Sequence, residues 1–164
     1  MSSATLTPQE ITAPDYQRRF GGVARLYGKA GLTAFERSRV CVVGIGGVGS
    51  WVAEALARSA VGCITLIDLD VVAESNVNRQ IHALGDEFGK AKVSAMAERI
   101  RAINPACKVV EVDAFISEES VEQMLGQGFD YVIDAIDHAR TKAAMIHWCL
   151  RRKQIGRASW RERV

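Results

Sequence analysis

Short apolar runs alternate along the chain with longer stretches whose apolar positions recur every three or four residues. Arg39 to Val43 is a β-branched run closed by Gly44, and it reads as a buried strand. Cys63 to Ile67, Lys108 to Val112 and Phe129 to Ile133 read as three more, and the first and last of these lead into acidic residues. From Val48 to Ser59 the positions Val48, Val52, Ala55, Leu56 and Ser59 fall at helical spacing. They predict a helix that sets this face on a sheet and turns Glu54 and Arg58 away from it. Lys90 to Ile103 predicts a second helix, stopped by Asn104-Pro105. Glu118 to Leu125 predicts a third with Ser117 as its N-cap, and Arg140 to Lys153 a fourth. Residues 1–15 are small and polar with two prolines and read as a flexible arm before the more apolar segment Tyr16 to Phe35. Strand and helix in alternation predict an α/β fold: a Rossmann-like, doubly wound, mainly parallel sheet with helices on both faces.

Composition narrows the class without choosing a function. At 164 residues, 48% hydrophobic and 24% charged, the chain suits one globular domain with a real core. A net charge of +2 is too mild to mark a nucleic-acid binder. Cys41, Cys63, Cys107 and Cys149 are widely separated, without the paired spacing of a metal cage, and no basic-then-apolar signal segment opens the chain. These features predict a reducing, cytoplasmic setting, and no apolar stretch reaches the roughly 20 residues of a membrane span.

The chemistry concentrates after the first predicted strand. Gly44-x-Gly46-Gly47-x-Gly49 stands between that strand and the helix, where glycines allow a tight turn and bring backbone N–H groups to a phosphate at the helix N-terminus. Asp68 ends the second strand, where a carboxylate accepts hydrogen bonds from ribose hydroxyls. A glycine turn with a ribose carboxylate serves NAD as readily as ATP, so an NAD(P)-binding oxidoreductase stands as one alternative. The loop that follows carries Asp70, Asn76, Arg79 and Gln80, and then Lys90 and Lys92. Holding a triphosphate, stabilising charge on the phosphate under attack and orienting Mg²⁺ call for Arg, Lys and a free carboxylate close together, and Arg79, Lys92 and Asp137 are of those types. Each also has a plainer reading: Arg79 as a surface ion pair with Asp70 or Glu74, Lys92 as an exposed helix lysine, and Asp134 with Asp137 as caps of the helix near Arg140. The histidines His82, His138 and His147 share no metal-ligand spacing and receive no catalytic role.

Taken together, the G-x-G-G-x-G turn, Asp68-x-Asp70, Asn76-x-x-Arg79-Gln80, Lys92 and Asp137 resemble the ThiF/MoeB-type, ubiquitin-activating-enzyme-like adenylating superfamily. Arg19-Phe20-Gly21-Gly22, Arg25-Leu26-Tyr27-Gly28 and Asn76 to Leu84 look most like its tRNA threonylcarbamoyladenosine dehydratases. The resemblance implies ATP as the nucleotide: Gly44, Gly46, Gly47 and Gly49 in the nucleotide loop, Asp68 on its ribose, Asp70 among the nucleotide-binding residues, Asn76, Arg79 and Lys92 on its phosphates, and Asp137 on Mg²⁺. It further implies a homodimer in which Arg19 reaches the partner's γ-phosphate. The implied substrate is a tRNA bearing threonylcarbamoyladenosine, and a cysteine desulfurase or sulfur-acceptor system joins the implied partners. The alternative inside the superfamily is an adenylyltransferase for a sulfur-carrier or ubiquitin-like C-terminus. The resemblance spans residues 16–154, so residues 155–164 read as a basic tail outside the family pattern and the sheet as truncated at the C-terminus.

Overall fold

The computed structural model describes residues 14–152 and the backbone of 155–158. Five parallel strands form one sheet in the order β3-β2-β1-β4-β5: β1 Arg39–Val43, β2 Cys63–Asp68, β3 Lys108–Asp113, β4 Tyr131–Asp134 and β5 Ile155–Ala158. Helix α1 (Tyr16–Arg37) precedes the sheet, and α2 (Gly49–Arg58), α3 (Lys92–Ile103), α4 (Val121–Leu125) and α5 (Ala139–Arg151) connect its strands. The period-two geometry of a strand divides β1 between two cores. Val40 and Val42 pack with Ala53 and Ala57 of α2 and Val93, Met96 and Ile100 of α3. Cys41 and Val43 pack on the other face with Val121 and Leu125 of α4 and Met145 and Trp148 of α5. This is the doubly wound sheet expected from the sequence.

Several local expectations change. The buried face of α2 is Ser50, Ala53, Glu54 and Ala57, whereas Val48 and Ala55 are exposed. Glu54, expected to face away, is only 5% exposed because its carboxylate accepts from Arg58 Nε at 2.7 Å and from Arg99 Nε of α3 at 2.5 Å. Periodicity located the helix and missed its orientation, because a paired carboxylate can occupy a buried position that apolarity alone would not assign. Helix α4 begins at Val121; Ser117 caps only the preceding turn, its hydroxyl accepting from Ser120 N. Ile155–Ala158, just past the boundary expected at Gln154, pairs in register with Tyr131–Asp134. Residues 1–13, 153–154 and 159–164, which include most of the expected arm and the end of the expected tail, lie outside the described residues.

Helix α1 starts at an N-cap, Asp15, whose side chain accepts from Arg18 N at 3.1 Å, and it is broken at Gly28, where φ is 75°. Phe20 and Leu32 bury one side of it against Ala60. Asn104, 1% exposed, ends α3 by donating to Val61 O at 3.3 Å and accepting from Ala106 N at 3.2 Å. No helix among the described residues is long and apolar enough to cross a membrane.

Candidate nucleotide site

In an open parallel sheet the crevice lies beyond the carboxyl ends of the strands where the winding reverses. Here the reversal falls between β1 and β4, and a cavity of about 360 Å³ opens there. Gly44, Gly46, Gly47, Asp68, Asp70, Arg79, Lys92 and Asp137 all line it, so one sequence cluster becomes one cavity wall.

The glycine turn is shaped by two requirements. Gly44 has φ 89°, a conformation costly for other residues, and donates its N–H to Ile67 O at 2.8 Å. Gly49 lets α2 rest on the turn: a Cβ there would stand 1.7 Å from Gly44 O. Gly49 is thus a packing residue behind the turn and is not a cavity-lining one. Helix α2 has no side-chain N-cap, which leaves its leading amides without a side-chain acceptor, as an anion site requires.

Asp68 ties the two loops together. Its Oδ2 accepts from Ile45 N at 2.6 Å and its Oδ1 from Asp70 N at 2.8 Å. Each carboxylate oxygen retains a further lone pair, so loop tethering and ribose binding are compatible. Lys92 is 6% exposed, not the solvated helix lysine of the plain reading, and its Nζ lies 2.6 Å from Asp70 Oδ2. Arg79 forms no ion pair with Asp70 or Glu74; its Nη1 donates to Ser75 O at 2.8 Å and to Asn78 Oδ1 at 3.0 Å. The acidic pair after β4 also separates. Asp134 is buried against Lys142 Nζ at 2.8 Å, whereas Asp137 is exposed at the cavity. His138, rather than either aspartate, caps α5, its Nδ1 accepting from Thr141 N at 3.4 Å.

Two expected residues stand elsewhere. Asn76 is 8% exposed and its Oδ1 accepts from Ala73 N at 3.1 Å, which shapes a 3-10 turn outside the cavity lining. Arg19 caps the end of α3, its Nη1 donating to Ala102 O at 3.0 Å and Ile103 O at 2.7 Å. Gln80, Phe115 and His138, none of which had been assigned to the nucleotide, also line the cavity. Gln80 is 6% exposed with a buried Oε1 that has no partner among the described residues, an acceptor available at the cavity. Phe115 and His138 meet edge to face at 6.4 Å, joining the loops after β3 and β4. Each stands in the loop after a parallel strand, Phe115 after β3 and His138 after β4.

Behind the site, His82 is 2% exposed and neither ring nitrogen has a hydrogen-bond partner among the described residues. Burial first, and then the nearby Lys92 charge, push it down to about 4 from 6.5, against the opposing pull of Asp68 and Glu87. The fold therefore prefers neutral His82. Its contribution to stability is complete above pH 6.5 and is lost as pH falls through about 4, with a magnitude on the order of 3 kcal/mol. Urea unfolding at pH 7 and pH 4 should show His82→Gln losing that much less stability than the parent; parallel pH profiles would sink this assignment.

The ThiF family pattern matches residues 16–156, the whole of the sheet's first four strands and the start of the fifth. The chain belongs to the ThiF family. Within that family it is 58% identical over 143 residues to the tRNA threonylcarbamoyladenosine dehydratase of Escherichia coli, an alignment covering 87% of this chain and 53% of that protein. The Bacillus subtilis dehydratase is 50% identical over 125 residues, covering 76% of this chain and 49% of the relative. A crystal structure of the Escherichia coli dehydratase in complex with ATP matches with a TM-score of 0.86 at 56% identity, covering 87% of this chain and 59% of that one. The chain spans about half the length of the relatives it matches. Its ThiF family membership and its kinship with an enzyme whose crystal structure holds ATP stand on these findings.

Proposed function

We propose that the cavity binds ATP and that this chain supplies the nucleotide site of a cytoplasmic tRNA threonylcarbamoyladenosine dehydratase. The observation that carries this reading is the convergence on one cavity of Asp68, an uncapped helix N-terminus, Arg79 and Lys92. Asp68 takes the ribose hydroxyls, and the turn Gly44 to Gly47 with the α2 amides takes the phosphates. Lys92 keeps donors beyond the one given to Asp70, and Arg79 supplies a planar fork, so both neutralise the anionic end. Asp70 orients the Lys92 ammonium. Asn76 acts on the phosphates indirectly, by shaping the loop that carries Arg79. Arg19 serves the γ-phosphate of a partner subunit in a homodimer, after exchanging its α3 carbonyls for that anion.

Asp137 fits Mg²⁺. It is an exposed carboxylate at the cavity with no ion pair among the described residues, and a magnesium ion carried by phosphates needs few protein ligands. When bound, the ion would offset charge on the triphosphate.

The reaction proposed for the whole protein begins with attack of the threonyl carboxylate oxygen on the α-phosphorus, releasing pyrophosphate. Ring closure on the acyl carbon then expels AMP, so ATP is consumed and the nucleoside loses water overall. A sulfur-acceptor partner belongs to the same proposal. The substrate assignment is tested with stable adenylate mimics. An acyl-sulfamoyladenosine carrying N-carbamoylthreonine should displace ATP more strongly than one carrying glycylglycine. The reverse order would favour a sulfur-carrier adenylyltransferase.

A further inference from the structure

Trp51 is 53% exposed on the first turn of α2, so burial does not account for a tryptophan there. Its Nε1–H donates to the main-chain carbonyl of Arg79 at 2.9 Å. Beside it on the same turn, the fully buried Ser50 accepts on its Oγ from Ile81 N at 3.4 Å. The segment 79–81 is therefore hung at both ends from the helix whose N-terminus faces the cavity. The Arg79 guanidinium is itself fixed by Ser75 O and Asn78 Oδ1, which belong to its own loop. Those bonds order the side chain relative to the loop, but they do not tie the loop to the glycine turn. The Trp51 and Ser50 bonds make that tie. Gly47 shows how close the fit is: a Cβ there would lie 3.4 Å from Arg79 Cγ and Cδ.

We propose that Trp51 is a positioning residue for nucleotide binding, its indole N–H holding the Arg79 backbone so that the arginine stem stays against Gly47 and the guanidinium stays at the cavity. Trp51 does not line the cavity; it acts through Arg79. The inference rests on the ATP reading, which assigns Arg79 to the phosphates.

A double-mutant cycle separates positioning from general packing. ATP with Mg²⁺ is titrated into the parent chain, Trp51→Phe, Arg79→Ala and the double variant, with thermal unfolding recorded for each. Trp51→Phe keeps the aromatic ring, removes the N–H donor, and should weaken ATP about 3- to 10-fold, the loss of one hydrogen bond. In the Arg79→Ala background the same change should have an effect of less than about twofold, because the group being positioned is gone. Equal weakening in both backgrounds overturns the proposal, as does unchanged affinity in the single variant. A Trp51→Phe protein whose affinity falls only in proportion to a large drop in its unfolding temperature overturns it too. If the folded parent binds no ATP, the nucleotide reading itself has failed and this inference falls with it.

Discussion

Gly49→Ala should be among the most damaging single-methyl changes in the chain. The added carbon would stand 1.7 Å from Gly44 O and 2.9 Å from Gly44 C, both rigid backbone atoms. It would also come within 3.2 Å of Ala135 Cβ on the far side of the turn. No side chain can rotate away to make room, so α2 must lift from the turn or Gly44 must leave its φ of 89°. Overpacking of this kind costs typically about 1–3 kcal/mol, and rigid backbone neighbours place Gly49 at or above the top of that range. The same displacement moves the helix N-terminus off the phosphate position. Thermal unfolding and ATP titration should therefore fail together, and a Gly49→Ala protein with parental stability and affinity would mean that the turn does not have this geometry. Gly46, where an added Cβ would meet nothing within 4 Å, is the internal control for stability.

The second large effect belongs to Asp68→Asn. The aspartate accepts from Ile45 N and Asp70 N with different oxygens. An amide side chain can satisfy only one of these donors and turns its own N–H₂ toward the other. Hydrogen bonds to a charged acceptor are worth about 1.5–3 kcal/mol, and the variant loses part of the loop tether together with the ribose acceptor. ATP affinity should fall on the order of 100-fold, equivalent to about 2.7 kcal/mol. Adenosine should lose affinity comparably, whereas triphosphate and pyrophosphate competition should change much less. Equal weakening of pyrophosphate would instead mark Asp68 as a purely structural tether.

Most of the fold was legible because its signals were local. β1 coincides with its predicted limits, and the Asn104-Pro105 stop of α3 lies where expected, since each follows from side-chain type and neighbouring backbone alone. The buried face of α2 was not legible, because Glu54 is buried through a partner on α3, Arg99, that is 45 positions distant in sequence. The site divides in the same way. The glycine turn, Asp68, Arg79, Lys92 and Asp137 converge on one cavity, as their types and spacing suggested. Asn76 and Gly49 carry the motif yet act from behind it, as a turn former and a packing contact. Phe115 and His138 were invisible because what joins them is the meeting of two loops from separate strands. Asp137, preferred to Asp134 from the sequence, is the aspartate at the cavity, because Lys142 claims Asp134.

All of these assignments depend on a triphosphate occupying the crevice at the carboxyl ends of β1 and β4. Calorimetric titration of the parent chain and of Asp68→Asn with ATP and Mg²⁺, repeated in the presence of excess NAD⁺, tests this most directly. Saturable binding at one site per chain, strongly weakened in Asp68→Asn and unmoved by NAD⁺, is the predicted result. A folded protein that gives no ATP binding, or that surrenders ATP to NAD⁺, would contradict it.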